Sequence, residues 1–164
     1  MDFIVRIDDR LIHGQVTAGW VRPLGIQRIV LANDKVALDP LQREIYSLAV
    51  PPGIEVQILT VNEAISYLKN SSSTKKTIVI VDSPRDALKL VEGGIKTNTI
   101  NVGGLHYEQG KHPLTSYIFL SDNDFRDISL LIEKGIILEG QEIPGSPKVV
   151  LNSLILTKFK QNTK

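Results

Sequence analysis

A short segment near the start of the chain holds residue types that handle phosphate. Asp9, Arg10, His13 and Gly14 closely follow the largely apolar run Phe3–Ile7. A neutral imidazole nitrogen is nucleophilic near pH 7, so a histidine can accept a phosphoryl group. A guanidinium is a planar fork that binds two phosphoryl oxygens at once. The segment therefore predicts phosphoryl chemistry, with His13 as the acceptor and Arg10 as the group that binds the phosphate.

Each of these residues also has an ordinary structural interpretation. His13 alone could cap a helix or lie at the edge of the core. Arg10 could form a surface ion pair with Asp8 or Asp9, which contributes little stability. Asp9 could brace Arg10 or orient the imidazole, although it would repel a phosphate if it pointed towards one. Arg6 lies inside the apolar run and is expected to pair with a carboxylate. The short spacing between Arg10 and His13 favours a catalytic role for both, and Asp9 is grouped with them.

The sequence around these residues predicts the elements that position them. The run before Asp8 is β-prone and nearly continuous, which is typical of a strand buried on both faces. Gly14 offers backbone freedom, and the residues 15–21 that follow predict a short helix closed by Pro23 and Gly25. His13 is thus expected at or just before a helix N-terminus, where free N–H groups favour a bound anion.

Further along the chain, apolar runs typical of strands alternate with stretches of helical periodicity. Strands are predicted over 28–32, 55–60, 77–81, 99–102, 116–120 and 136–143, the last at a sheet edge, and helices are predicted to begin at Asp39-Pro40, Val61, Ser83-Pro84, Ser121-Asp122 and Ser146-Pro147. Such alternation favours right-handed crossovers. The prediction is an α/β fold: one doubly wound domain over 1–164, with a mostly parallel sheet of about seven strands and helices on both faces.

Two other strand ends could meet His13 in a crevice. In a doubly wound sheet a ligand binds beyond the carboxyl ends of the strands, where the strand order reverses, and the first strand is a natural place for that reversal. Asp82-Ser83 ends one strand, and Gly103-Gly104 predicts a flexible turn at another. Ser83, Gly103, Gly104 and Gly14 are therefore candidate phosphate-binding residues, although such residues also end strands in folds without any site.

Composition excludes several other functions. The net charge of +1, with scattered lysines, gives no electrostatic footprint for nucleic acid. The chain has no cysteine, and its first residues show no secretory leader, so a cytoplasmic location is expected. His106 and His112 lack a third metal ligand at convincing spacing, and Gly104–His112 misses the P-loop pattern. No metal site and no cofactor are predicted.

The segment Arg6–Val16, with the sequence RIDDRLIHGQV, resembles the active-site loop of enzyme IIB of the mannose/sorbose family. These proteins belong to the phosphoenolpyruvate-dependent sugar phosphotransferase system. The likeness extends to Asn101–His106, with the sequence NVGGLH, and to the order of segments along the whole chain. The resemblance implies that His13 is transiently phosphorylated, on Nδ1, and that the sheet order reverses between strands one and four.

The resemblance also implies partners. His13 would take a phosphoryl group from the phosphohistidine of a IIA protein or domain and pass it to a sugar. Membrane components IIC and IID would deliver that sugar, so the chain would associate peripherally with the inner face of the membrane. The sequence identifies neither the sugar nor the oligomeric state, a homodimer included. An alternative is a non-enzymatic module that binds a phosphorylated metabolite or nucleotide in the same crevice and has no need of a nucleophilic histidine.

Overall fold

The computed structural model describes residues 3–162, with side chains described as far as residue 158. The strands are β1 (Phe3–Asp8), β2 (Arg28–Ala32), β3 (Glu55–Leu59), β4 (Thr77–Val81), β5 (Thr99–Gly104), β6 (His112–Pro113), β7 (Phe119–Leu120), β8 (Ile137–Gly140) and β9 (Val149–Val150). The helices are a π-helix (Gln15–Val21), α1 (Arg22–Leu24), α2 (Asp34–Leu38), α3 (Pro40–Leu48), α4 (Val61–Asn70), α5 (Pro84–Glu92), α6 (Asp122–Glu133) and α7 (Leu151–Asn162).

Seven strands form one sheet in the order β3-β2-β4-β1-β5-β8-β9. Neighbouring strands are parallel except for β8 and β9, which pair antiparallel. The predicted fold class is therefore confirmed. The chain moves towards β3 after β1 and towards β9 after β4, and these two strands are neighbours. The order thus reverses between β1 and β4, as the resemblance implied, and this reversal opens a crevice at their carboxyl ends.

Alternation along β1 divides the core into two layers. Val5 and Ile7 face a layer that includes apolar side chains of α4, α5, α6 and α7. Ile4 packs on the opposite layer, where Val16 and Trp20 of the π-helix and Val36 of α2 are buried. Helices therefore cover both faces, and the π-helix that follows the site lies on the same face as α2 and α3.

Capping side chains explain one helix that the sequence pattern missed. The Asn33 side chain accepts a hydrogen bond from the backbone N–H of Val36, which starts α2 directly after β2. Asp39 is extended and accepts hydrogen bonds from the N–H groups of Leu41 and Gln42, which starts α3 as predicted. Two capping residues within seven positions thus make two short helices where one was expected.

The second half of the chain corrects four predictions. Gly103 and Gly104 belong to β5 and form no turn. Only Phe119–Leu120 of the predicted strand 116–120 is a strand, and it pairs with β6 in a separate hairpin. The strand predicted at the sheet edge is β8, which is flanked by both β5 and β9. Because residues 149–150 form β9, the last helix begins at Leu151, after the predicted Ser146-Pro147.

The first helical segment ends at Gly25, as predicted, but Pro23 has no part in closing it. Pro23 lies in the first turn of α1, where its missing N–H is not required, so it extends the segment instead of closing it. Gly25 closes the segment in a left-handed conformation with φ of 62°, as expected of a glycine at a helix C-terminus.

Candidate functional site

The carboxylate of Asp8 lies at the centre of the site. Asp8 is the last residue of β1, and its side chain is fully buried. It accepts hydrogen bonds from Arg6 Nη2 at 2.8 Å, from Arg10 Nε at 3.1 Å and from Arg10 Nη2 at 3.2 Å. Its Oδ2 also lies 3.2 Å from Nε2 of His13. One buried carboxylate thus holds two guanidinium groups and the imidazole.

This arrangement keeps Asp8 ionised. Burial by itself would raise the pKa of the carboxyl group. The hydrogen bonds from His13 and Arg10, together with the charge of Arg6, outweigh burial and hold the pKa of Asp8 well below its ordinary value. An ionised carboxylate only accepts hydrogen bonds, so His13 must carry a proton on Nε2.

The second ring nitrogen of His13, Nδ1, then carries the lone pair of the ring. With the proton on Nε2, the neutral ring has its lone pair on Nδ1. Nδ1 accepts a hydrogen bond of 3.3 Å from the backbone N–H of Gln15. The His13 side chain is 19% exposed, so the ring is only partly covered by the protein. Its backbone carbonyl accepts from the N–H groups of Val16 and Thr17, so the residue is fixed at the start of the π-helix.

Arg10 forms an ion pair with Asp8, which the sequence offered as an alternative interpretation, but the carboxylate is buried and does not lie at the surface. Two of its nitrogens contact Asp8, and Nη2 also donates to Oε1 of Gln15 at 2.7 Å. The side chain is 32% exposed, and Nη1 makes no hydrogen bond within the part of the chain that the structure describes. The ion pair with Asp8 therefore orients a guanidinium whose Nη1 donors are not used by these contacts.

Behind this layer lies Arg6, a guanidinium without solvent exposure. It pairs with Asp8 as predicted, donates to Asn101 Oδ1, and donates to the carbonyl groups of Gln141 and Glu142, each at 3.0 Å. Its guanidinium carbon lies 4.8 Å from the ring centroid of Trp20. Burial lowers the pKa of Arg6, and the Asp8 carboxylate opposes that change.

Gly103 makes room for this buried arginine. A Cβ atom at residue 103 would collide with the Arg6 guanidinium, and the strand register slips at this point, so that Ile7 pairs with Val102 and Asp8 with Gly104. A bulge beside a site re-aims the side chains that follow it. Gly103 and Gly104 are therefore buried strand residues that fix Arg6 and Asp8.

Asp9 does not contact Arg10 or His13, because both expected contacts are made by Asp8. Asp9 binds His106 instead: Oδ2 accepts from the backbone N–H of His106 and Oδ1 lies against its Nδ1, each at 2.6 Å. The backbone N–H of Asp9 donates to the carbonyl of Gly104 at 3.2 Å. Asp9 thus ties the site loop to the segment after β5.

The backbone freedom expected at Gly14 occurs at Leu11. Gly14 has helical dihedral angles and open space where a Cβ would lie. Leu11 instead has φ of 59°, a left-handed conformation that is uncommon for a residue with a side chain. Its side chain is buried against the core, and its N–H donates to the carbonyl of Asp8 at 2.9 Å. These contacts hold the strained turn between Asp8 and His13.

Ser83 lies at the carboxyl end of β4 and caps α5. Its hydroxyl accepts a hydrogen bond from the N–H of Asp86 at 3.3 Å, and the neighbouring Asp82 accepts one from Asn33 Nδ2 at 2.6 Å. Ser83 and Asp82 line a crevice of about 480 Å³ together with Asp9 and other residues of the strand ends. Ser83 therefore borders the same edge of the sheet as the His13 loop, as a helix cap.

Sequence inspection missed the central role of Asp8 and the part of Gln15. A usable signal existed, because residues two apart in a strand share a face and Arg6 and Asp8 are so spaced. Within residues 3–162, no group of three or more potential metal ligands occurs. None of the helices in the described chain is long and apolar enough to cross a membrane.

Comparison with known proteins identifies the family that the chain matches. Residues 3–164 match the family described as "PTS system sorbose subfamily IIB component". The chain is 35% identical over 150 residues to the N-acetylgalactosamine-specific phosphotransferase enzyme IIB component 2 of Escherichia coli, covering 92% of this chain and 96% of that protein. It is 32% identical over 153 residues, or 93% of this chain, to the mannose-specific EIIAB component of Escherichia coli, and spans 47% of that relative's length.

A solved structure shows the same architecture. The IIB domain of the sorbose permease from Klebsiella pneumoniae superposes with a TM-score of 0.87 at 32% identity, covering 96% of this chain and 98% of that one. One family thus matches residues 3–164 in sequence, and its solved member matches 96% of the chain in fold. The chain belongs to the sorbose subfamily of phosphotransferase system IIB components.

Proposed function

We propose that the chain is a phosphocarrier in which Nδ1 of His13 accepts a phosphoryl group from a phosphohistidine of a IIA protein and passes it to a sugar. The contact between His13 Nε2 and the buried Asp8 carboxylate carries this proposal. It fixes the proton on Nε2 and leaves the lone pair on Nδ1, in a ring that is partly exposed. A fixed tautomer is what an attacking imidazole requires.

The bonds formed and broken in the two transfer steps balance without a cofactor. The donor's P–N bond breaks as the bond from phosphorus to Nδ1 forms, and the donor imidazole recovers its electron pair. The His13 ring gains positive character in this step, which the Asp8 carboxylate beside Nε2–H stabilises. In the second step the P–Nδ1 bond breaks, the sugar oxygen bonds to phosphorus, and the hydroxyl proton leaves to solvent.

Arg10 supplies the charge that the phosphoryl oxygens need. Phosphoryl transfer depends mainly on positioning and on stabilising charge spread over three oxygens. Asp8 and Gln15 hold Nε and Nη2 of Arg10, so the guanidinium is already oriented when the anion arrives. The exposed backbone of Gly14, next to His13, is a further proposed phosphate contact. We assign Ser83, Gly103 and Gly104 to supporting roles, because their observed contacts hold α5 and the buried arginine.

The names of the relatives support the proposed partners. The mannose-specific relative joins A and B components in one protein, and other relatives are named for sorbose and N-acetylgalactosamine. We propose that this chain likewise works with a IIA protein and a sugar, on the cytoplasmic side of the membrane, where components IIC and IID present the sugar.

Labelling experiments test the proposal against a non-enzymatic binding module. The chain is incubated with labelled phosphoenolpyruvate, the general phosphotransfer proteins and a IIA protein, and the label is mapped by mass spectrometry under alkaline conditions. We expect an acid-labile phosphate on His13 and none in His13→Ala. A chain that binds phosphate without covalent label is a binding module, and label on His106 or His112 contradicts the assignment of His13.

A further inference from the structure

Gln15, the first residue of the π-helix, contacts both groups that the proposed transfer uses. Its backbone N–H donates to Nδ1 of His13 at 3.3 Å. Its side-chain Oε1 accepts a hydrogen bond from Nη2 of Arg10 at 2.7 Å. The residue is partly exposed to solvent. Gln15 therefore joins the atom that accepts the phosphoryl group to the cation that binds its oxygens.

The backbone contact of Gln15 cannot persist once His13 is phosphorylated. A hydrogen bond to Nδ1 uses the lone pair of that nitrogen, and the bond from Nδ1 to phosphorus uses the same lone pair. The N–H of Gln15 then loses its acceptor, and a donor without a partner costs free energy. The phosphoryl oxygens arrive on Nδ1, beside this N–H. Phosphorylation thus replaces one acceptor of Gln15 with another.

The donors of Arg10 indicate a second replacement, at the side chain of Gln15. A guanidinium with a substituted Nε carries five N–H bonds, one on Nε and two on each Nη. Nε donates to Asp8, and Nη2 donates to both Asp8 and Gln15, so the two N–H bonds of Nη2 are used. A phosphoryl group that binds the fork of Nη1 and Nη2 must therefore displace one contact of Nη2.

Gln15 is the contact that can be displaced. Asp8 is fully buried and also binds Arg6, so its departure would leave a buried guanidinium without a counter-charge. Gly104 lies against the same nitrogen, because a Cβ there would be 3.3 Å from Nη2 of Arg10. The amide of Gln15 is neutral and partly exposed, so it can turn towards water. The exchange leaves the pairing of Asp8 with Arg10 in place.

We propose that Gln15 is a positioning residue that makes, while His13 is unmodified, the two hydrogen bonds that the phosphoryl group takes over; this inference rests on the proposed function. The side-chain contact orients Arg10 without neutralising its charge. Because this contact exists only in the unmodified protein, it stabilises that form relative to the phosphohistidine. Gln15 therefore favours passing the phosphoryl group on to the next acceptor.

A partition experiment tests this proposal. Equal amounts of a ¹⁵N-labelled wild type and an unlabelled variant share a limiting supply of phosphoryl groups through a catalytic amount of IIA of the mannose/sorbose type, and intact-mass spectrometry compares their phosphorylated fractions. Gln15→Met removes the acceptor and keeps the side-chain length. We expect the phosphoryl group to favour Gln15→Met over the wild type by about three- to tenfold, the effect of one hydrogen bond lost from the unmodified form.

Two other variants complete the comparison. Gln15→Glu keeps an oxygen for Nη2 but adds a charge that attracts Arg10 and repels the phosphoryl oxygens, so the phosphoryl group should favour the wild type. The matched control is Gln27→Met, since the Gln27 side chain accepts from the N–H of Lys76 at 3.2 Å, at the amino end of the sheet. This control should share the phosphoryl group equally with the wild type.

The outcomes distinguish this inference from the proposed function. If the wild type gains no acid-labile phosphate on His13, the proposed function fails. If His13 is phosphorylated and Gln15→Met shares equally with the wild type or receives less, only the exchange of contacts is overturned. Nuclear magnetic resonance of the wild type provides a test without substitution. We expect both the backbone N–H and the side-chain amide resonances of Gln15 to shift on phosphorylation, and an unchanged side-chain amide would also overturn the exchange.

Discussion

Replacing Asp8 with asparagine separates the structural and catalytic parts of the site. The substitution keeps the size of the side chain and removes its charge. In the wild type this charge is shared among Arg6, Arg10 and His13, and the Arg6 and Asp8 side chains are both fully buried. The variant therefore leaves the Arg6 guanidinium without a counter-charge inside the protein.

The expected losses follow from these contacts. Breaking a buried ion pair by removing one partner costs about 3–5 kcal/mol, against a total stability of about 5–15 kcal/mol for a domain. With a urea dependence of about 2 kcal/mol per M, the unfolding midpoint should fall by about 2 M. Loss of the charge-assisted bond to His13 should slow phosphorylation by roughly ten- to a hundred-fold.

The stability difference between the wild type and Asp8→Asn should depend on pH in a defined direction. A carboxyl group whose folded-state pKa lies below its ordinary value stabilises the protein fully above that value, and this stabilisation is lost as the pH falls below it. The ordinary value for Asp8 is 3.8. The wild type should therefore exceed Asp8→Asn in stability at neutral pH, and the difference should shrink below about pH 4.

Urea unfolding from pH 2.5 to 7 and phosphoramidate labelling of His13 measure both effects. Asp9→Asn is the matched control, because it removes the neighbouring charge from a partly exposed side chain that contacts no guanidinium. We expect it to change stability by no more than about 1 kcal/mol. Equal stability of Asp8→Asn and wild type at neutral pH, or a constant difference down to pH 2.5, would refute the assignment of Asp8 as the buried counter-charge.

Three further substitutions and one control substitution address other parts of the site. Arg10→Lys should slow transfer to His13 by roughly ten- to a hundred-fold, because lysine keeps the charge but loses the planar fork that binds two oxygens at once. Rapid-quench rates, with unfolding curves for both proteins, check this. His106→Ala should increase amide hydrogen exchange in residues 106–111, because the segment then loses the side-chain half of its two contacts with Asp9; unchanged exchange would show that the imidazole contact restrains nothing. Gly103→Ala should lower the thermal midpoint strongly, because its Cβ meets a buried guanidinium, whereas Gly14→Ala has open space and should leave it nearly unchanged.

The order of strands and helices and the location of the site segment could be predicted from the sequence. The alternation of strands and helices predicted the doubly wound sheet, and the polar residues after Phe3–Ile7 identified the segment that carries His13 and Arg10. The roles of Asp8 and Asp9 were not resolved, because that depends on where β1 ends. The strand includes Asp8, so Asp8 shares a face with Arg6, and Asp9 turns towards His106.

Other features depend on contacts between distant parts of the chain. Gly103 predicts a turn when only its neighbours are considered, but it lies in β5, and the residue there must be glycine because the Arg6 side chain occupies the space beside it. The short strand Val149–Val150 gains its place only by pairing with Glu139 and Gly140. Local propensity contains no information on either pairing, so these parts of the fold follow from the tertiary structure alone.

The π-helix that follows His13 makes the site sensitive to the number of residues between His13 and Trp20. An α-helix advances about 100° per residue, and a π-helical turn accommodates one residue more than an α-helical turn. At its far end Trp20 is anchored, since its ring packs on Arg6 and its Nε1 donates to the carbonyl of Glu142 at 2.9 Å. Removing one residue between His13 and Trp20 would therefore rotate His13 by roughly a quarter turn about the helix axis, relative to Asp8. The number of residues between His13 and Trp20 thus determines the site as much as the identity of either side chain. An insertion or deletion there would turn the His13 side chain away from Asp8.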